Sequence, residues 1–219
     1  VDESLDHVLG PADAEITLVE YGSYACPHCR AANEVIADVR DQFGERMRYV
    51  FRHRPIPGSD IARRAAELAE RADDPERFWN AHLELMTRSD QLTEDDLSAV
   101  SAKLGLAQED PAKAGEAARR ARARVEDDLK SARASHVVVT PTFFIKGRRY
   151  HGPWDQHSLS DAMLGTLGYR VRSAALEFVS WGPSAGALLL LATLLAVALS
   201  NSALGPQFPG TTVDSVTVA

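Results

Sequence analysis

The run Glu15-Ile16-Thr17-Leu18-Val19-Glu20-Tyr21-Gly22, followed three residues later by Cys26-Pro27-His28-Cys29, decides how this chain folds. The first part is short, β-branched and aromatic, and it follows the turn-forming Gly10-Pro11-Ala12-Asp13, so it predicts a buried strand. Pro27 suits the first turn of a helix, and Ala31, Val35, Ile36 and Val39 recur at helical spacing until Phe43-Gly44 ends the pattern. The order is strand, Cys-x-x-Cys, helix.

That order has chemical content. The thiolate is the nucleophile in disulfide exchange, so a working pair needs one cysteine of lowered pKa and a second close enough to resolve the mixed disulfide. Unpaired N–H groups and the positive end of the helix dipole favour an anion at Cys26, while Cys29 lies one turn inside. Cys26 is the expected attacking thiol and Cys29 the resolving one. His28 is expected to add positive charge or a hydrogen bond toward the Cys26 sulfur, the alternative being a solvated surface residue. Cys26 and Cys29 are the only cysteines, and a bridge closing so short a loop restricts the unfolded chain little, which points to redox work rather than to stability. Half of a zinc site would need two more ligands, and the remaining histidines are scattered singly in sequence. No metal is therefore expected, and no cofactor beyond a redox-active Cys26–Cys29 disulfide.

Outward from this centre, Met47, Tyr49 and Phe51 alternate within Arg46 to His53 and predict a second strand, ended by Pro55-Ile56-Pro57-Gly58. Parallel pairing with the first strand would complete a βαβ unit. Residues 59–133 are almost entirely helical in pattern, broken at Asp73-Asp74-Pro75, at Ser89-Asp90 and from Gly105 to Pro111. This block is too large for one crossover and reads as an inserted helical subdomain. Val137 to Ile145 reads as two strand segments around Pro141, followed by a turn at Lys146-Gly147, a strand through Tyr150 and a short helix from about Ser158 to Leu167.

The chain has 219 residues, 45% hydrophobic and 25% charged, enough for one domain plus an appendage. A net charge of −7, with basic residues interspersed among acidic ones, argues against nucleic acid as a partner. No apolar stretch precedes Ile16, so an export signal is expected to be absent or already removed.

Val19 to Cys29 resembles the active-site segment of DsbA-type oxidoreductases, Cys-Pro-His-Cys included, and Thr140-Pro141-Thr142-Phe143-Phe144-Ile145-Lys146-Gly147 resembles their cis-proline loop. The resemblance covers about Asp6 to Leu167 and implies an α/β, thioredoxin-like fold with the helical insertion. It implies a cis peptide before Pro141, with Thr140 and Pro141 facing the cysteines and able to pair with an extended substrate. It also implies that Glu20 is a buried carboxylate relaying protons for Cys29, against the alternative of a surface residue at a strand end. His136-Val137-Val138-Val139 departs from the glycine-containing sequence common in relatives and bears on the substrate groove; His136 is read as structural.

Composition then shifts. No residue between Glu177 and Asp214 is charged, and the 23 positions of Gly182 to Leu204 are rich in Leu and Ala on every helical face. About 20 such residues span a bilayer, so a single transmembrane helix is expected there. Residues 1–170 are then the redox domain, 171–181 a linker, and 205–219 an irregular tail. Pro183 to Leu190 and Ala198 to Leu204 resemble the first transmembrane helix of NhaA-type sodium/proton antiporters, with Pro183 replacing the usual acidic residue. That implies the front of a fusion; with no intramembrane acid in the span, transport by the chain alone is not expected. Arg170 and Arg172 precede the span and no basic residue follows it, which favours the cytoplasmic face for the redox domain; an oxidising periplasm is the alternative. The expected function is a membrane-tethered thiol–disulfide oxidoreductase acting on protein dithiols and served by a separate redox partner. The alternative is a redox-sensing domain of a truncated antiporter fusion.

Overall fold

The structure is a computed structural model that describes residues 1–2, 5–72, 74–89, 91–106, 111–165 and 183–200. Two compact units divide the chain, Val1–Arg170 and Val171–Ala219.

In the first unit a five-stranded sheet has the order β1-β3-β2-β4-β5, comprising β1 (His7–Leu9), β2 (Ile16–Gly22), β3 (Met47–His53), β4 (Thr142–Ile145) and β5 (Arg148–Arg149). The β2 and β3 strands run parallel, joined by helix α1 (Pro27–Phe43), as the βαβ reading expects; the other pairings are antiparallel. Because successive side chains alternate between the faces of a strand, Ile16, Leu18 and Glu20 share one face of β2. Ile16 and Leu18 join the main core there with Cys29, Ala32, Ile36, Val39 and Phe43 of α1. Tyr21 lies on the opposite face, in a smaller cluster with Ala132 and Val137.

The insertion is helical: α2 (Asp60–Ala69), α3 (Pro75–Thr87), α4 (Glu94–Lys103) and α5 (Pro111–Ala134), with α6 (Gln156–Leu164) closing the unit. The starts of α2, α3 and α4 have local causes. Ser59 and Asp74 accept backbone N–H groups of the first turns of α2 and α3, Pro75 opens α3, and Thr93 and Asp96 cap each other's backbone in a capping box on α4. Phe78, Leu85 and Met86 of α3 and Leu97 and Val100 of α4 bury their apolar faces in the main core.

One sequence expectation needs correction, and one strand was not foreseen. Residues 137–141 are not a strand: Val138 is 74% exposed, and His136 takes a left-handed φ of 53° just after α5, so the β-branched run is a surface loop leading to Pro141. The edge strand β1 went unread, since three residues amid polar neighbours carry no period of their own.

In the second unit, helix α7 (Pro183–Ser200) carries Leu189, Leu190, Leu191, Leu194, Leu195 and Val197 exposed. Its 18 residues are fewer than the 23 expected, and among the described residues no helix is long and apolar enough to cross a membrane. The expected linker 171–181, the tail 205–219 and positions 182 and 201–204 lie outside the described residues.

Candidate active site

Cys26 is the N-cap of α1 with extended backbone (φ −122°, ψ 111°), and Pro27 opens the helix. Cys26 makes no side-chain capping hydrogen bond, and the backbone N–H groups of His28 and Cys29 at the helix start act on its sulfur and favour the thiolate. Its carbonyl accepts from Cys29 N at 3.0 Å, from Arg30 N at 3.2 Å and from the Ser89 hydroxyl at 3.3 Å, which fixes the turn. Both cysteines are free thiols; Cys26 is 4% exposed and Cys29 is fully buried. Ser23 N–H donates to Cys29 Sγ at 3.4 Å. Pro27 and His28 are exposed.

The other side of the site arrives from 114 residues away. The Thr140-Pro141 peptide is cis, and Cys26 Sγ lies 3.4 Å from the Thr140 carbonyl oxygen, to which it donates only while protonated. The Thr142 hydroxyl donates to Val139 O at 2.7 Å and ties down the turn around the proline. Pairing of β4 with β2 (Glu20↔Phe143, Tyr21↔Thr142) carries this loop to the sheet end at which β2 delivers the cysteines.

The two sulfurs are driven apart in acidity. A hydrogen bond from the Cys29 thiol, with the Thr140 side chain (not its carbonyl) and the N–H groups of Cys29 and His28 adding to it, outweighs burial and holds Cys26 far below the ordinary thiol range, at about 5. Donating that hydrogen bond, being buried and lying near Glu20 and Cys26 together push the Cys29 thiol far up. Cys26 is thus a thiolate at neutral pH and Cys29 keeps its proton.

Glu20 is buried on the main-core face of β2. Tyr49 Oη donates to its Oε2 at 2.7 Å, while Oε1 has no partner among the described residues. Burial first, and the Cys26 charge to a lesser degree, overcome the Tyr49 hydrogen bond and raise the carboxyl to about 8. Sequence reasoning missed Tyr49, Ser23, Ser89 and Trp154. The Trp154 ring lies edge-on to His28 at 5.9 Å and to Phe143 at 6.4 Å; its place after Gly152-Pro153 gave no periodic signal.

A family model described as thioredoxin matches residues 3–163. The chain belongs to the thioredoxin family. Among solved structures, this thioredoxin-family chain is similar to BdbD from Bacillus subtilis (TM-score 0.64, 22% identity, covering 75% of this chain and 94% of that one). It is also similar to a thioredoxin-like oxidoreductase from Silicibacter pomeroyi (TM-score 0.63, 25% identity, 78% and 94% covered). The α-DsbA1 protein of Wolbachia pipientis, with 20% identity, shares the fold at a TM-score of 0.61 over 80% of this chain and 96% of that one. Sequence relatives carry a different kind of name. The chain is 62% identical over 208 residues to a Na(+)/H(+) antiporter NhaA of Nitrosospira multiformis, covering 95% of this chain and 33% of that protein. It is 38% identical over 176 residues to Na(+)/H(+) antiporter NhaA 1 of Salinispora arenicola, covering 78% and 26%. The chain therefore spans about a quarter to a third of the length of the curated relatives it matches.

Proposed function

We propose that this chain is a thiol–disulfide oxidoreductase whose centre is Cys26-Pro27-His28-Cys29. The observation that carries the reading is the meeting of the Cys-Pro-His-Cys helix start with a cis-proline loop whose Thr140 carbonyl lies 3.4 Å from the Cys26 sulfur, an arrangement that sets the two thiols apart in acidity. In the reducing direction, Cys26 thiolate attacks a substrate disulfide, forming a mixed disulfide and releasing one substrate thiolate. Cys29 then attacks the Cys26 sulfur, its proton passing to the fraction of Glu20 that is ionised, a minor one at neutral pH that grows as pH rises toward about 8, and this closes the Cys26–Cys29 disulfide and releases the second substrate thiolate. The reverse sequence donates a disulfide to a protein dithiol. Thr140 and Pro141 offer backbone to an extended substrate, and a separate redox partner resets the pair.

The apolar segment Gly182–Leu204 tethers the domain to the membrane in this reading, with the redox domain on the cytoplasmic face. The exposed leucines of α7 and the antiporter-named relatives support the tether. Those relatives also favour a second reading, in which the domain reports thiol redox state to an antiporter within one longer polypeptide and has no substrate in trans.

Insulin reduction and oxidation of a reduced unfolded protein distinguish the two. Turnover by the chain in detergent, abolished in Cys26→Ser and converted to trapped mixed disulfides in Cys29→Ser, supports the enzyme. Stoichiometric oxidation and reduction without turnover supports the sensor. Equal alkylation rates at the two thiols overturn the assignment of roles.

A further inference from the structure

We propose that His7, His53 and Glu70 form a binding site for one divalent transition-metal ion of the zinc class, remote in role from thiol exchange. The three residues are scattered in sequence, and the fold gathers them. In the β1–β3 ladder His7 stands opposite Phe51. His53 lies two residues beyond Phe51, so the pleat puts both imidazoles on one sheet face as diagonal neighbours. Glu70 is the C-cap of α2, and it brings a carboxylate to the same point from the helical insertion.

The donor atoms converge. Glu70 Oε1 lies 2.8 Å from His7 Nε2 and 2.8 Å from His53 Nε2, and all three ligand atoms fall within 4.8 Å of one another. Both histidines aim the same ring nitrogen. A zinc-class ion bound at about 2.0–2.2 Å from each donor sets tetrahedral ligands slightly more than 3 Å apart, so the two 2.8 Å pairs must open a little and the two imidazole nitrogens, within 4.8 Å of each other, must settle at the same spacing.

The two rings meet edge-on at 6.4 Å and are also held by aromatic walls. The His7 ring stacks on Phe78 at a centroid distance of 3.3 Å, and the His53 ring meets Phe51 and Phe78 edge-on at 5.3 and 6.1 Å. The His53 backbone N–H donates to Asp128 Oδ2 at 2.8 Å, fixing the strand end that carries the ligand. The His53 and Glu70 side chains are 1% and 6% exposed, whereas that of His7 is 21% exposed. Solvent thus reaches the centre from one side, where a water can fill a fourth position.

Two imidazoles and one carboxylate suit Zn(II), Co(II) or Ni(II); calcium and magnesium prefer all-oxygen shells. An ion there ties the three-residue edge strand β1 to β3 and to the insertion, acting as a clamp on the fold.

The test uses the untagged full chain in detergent, with Cys26→Ser and Cys29→Ser introduced so that the thiols take up no metal. Equilibrium dialysis against CoCl₂ or ZnCl₂ is expected to give one ion per chain, with visible Co(II) bands of a low-coordinate site and a rise in melting temperature. In the same background His7→Ala, at the most exposed ligand, is expected to weaken binding by more than about 100-fold and to erase the bands. Glu70→Gln is expected to do the same. Should Glu70→Gln fail to fold, His7→Ala and His7→Phe decide the matter, with circular dichroism confirming the fold. Uptake well below one ion per chain, or Co(II) bands unchanged by His7→Ala, overturns the site. Neither result bears on the thiol chemistry, which is measured with the cysteines intact.

Discussion

Tyr49 donates a 2.7 Å hydrogen bond to Oε2 of Glu20 beneath the cysteine pair, while Oε1, on the side facing Gly22, meets no partner among the described residues. A buried carboxyl with one oxygen unpaired keeps its proton, here up to about 8. The unfolded chain releases that proton near the ordinary glutamate value, so the folded state binds more protons between there and about pH 8. Stability should therefore fall across that interval as pH rises. Glu20→Gln should remove the fall, leaving the variant more stable than its parent by several kcal/mol at pH 9 and nearly equal at pH 4. Urea unfolding in a Cys26→Ser background, which eliminates the opposing thiol titration, measures it. A pH-independent difference would contradict the buried, protonated carboxyl.

Cys26 works with the opposite sign. Its folded-state pKa is depressed to about 5, so the stability it lends the reduced protein is complete above the unfolded thiol value and is lost as pH falls through about 5. Alkylation of the reduced protein should modify Cys26 with a midpoint near pH 5 and leave Cys29 protected. A midpoint in the ordinary thiol range would refute the hydrogen-bond pattern at the helix start.

The contact of His28 with the Cys26 sulfur is through its backbone N–H, and its ring is exposed and edge-on to Trp154. His28→Ala keeps that donor and should leave the Cys26 titration close to its parent. His28→Pro removes the N–H at a helix position that tolerates proline and should raise the Cys26 pKa. If alanine moves the curve as far as proline does, the ring supplies the effect, as the sequence reading expects.

Gly22 closes the strand beside the site. A Cβ there would come within 2.5 Å of Phe51 Cε2 and 2.8 Å of Glu20 Oε1, neither of which has room to retreat in the core. Gly22→Ala should cost about 1–3 kcal/mol, the range for overpacking, and should disturb the Glu20 titration as well. Thermal unfolding and the pH profile of alkylation check the two effects separately.

The β2–α1–β3 unit was legible because its cause is local: a β-branched run, a proline at a helix start and a second alternating run. The helical insertion was equally open, through its start at Ser59 and its breaks at Asp73-Asp74-Pro75 and Ser89-Asp90, although the capping box at Thr93 was not read. Val137 to Val139 misled because strand propensity reports fitness for a half-buried pleat, and here the chain keeps Val138 and Val139 in solvent. The thiol pair and Glu20 could be named from sequence, but Tyr49, Ser89 and Trp154 owe their places to tertiary packing alone. The meeting of His7, His53 and Glu70 was invisible for the same reason: strand register and a helix end must both be known before three separated residues become one cluster.

The contact between Cys26 and Thr140 also sets a schedule. A ribosome adding about 5–20 residues per second needs roughly 10 s to go from one to the other. During that interval the emerging chain carries the helix start without the loop that completes it. Chains arrested before Thr140 should therefore alkylate with a higher midpoint than chains long enough to deliver the loop, so that oxidative reactivity is withheld until synthesis of the domain is nearly finished.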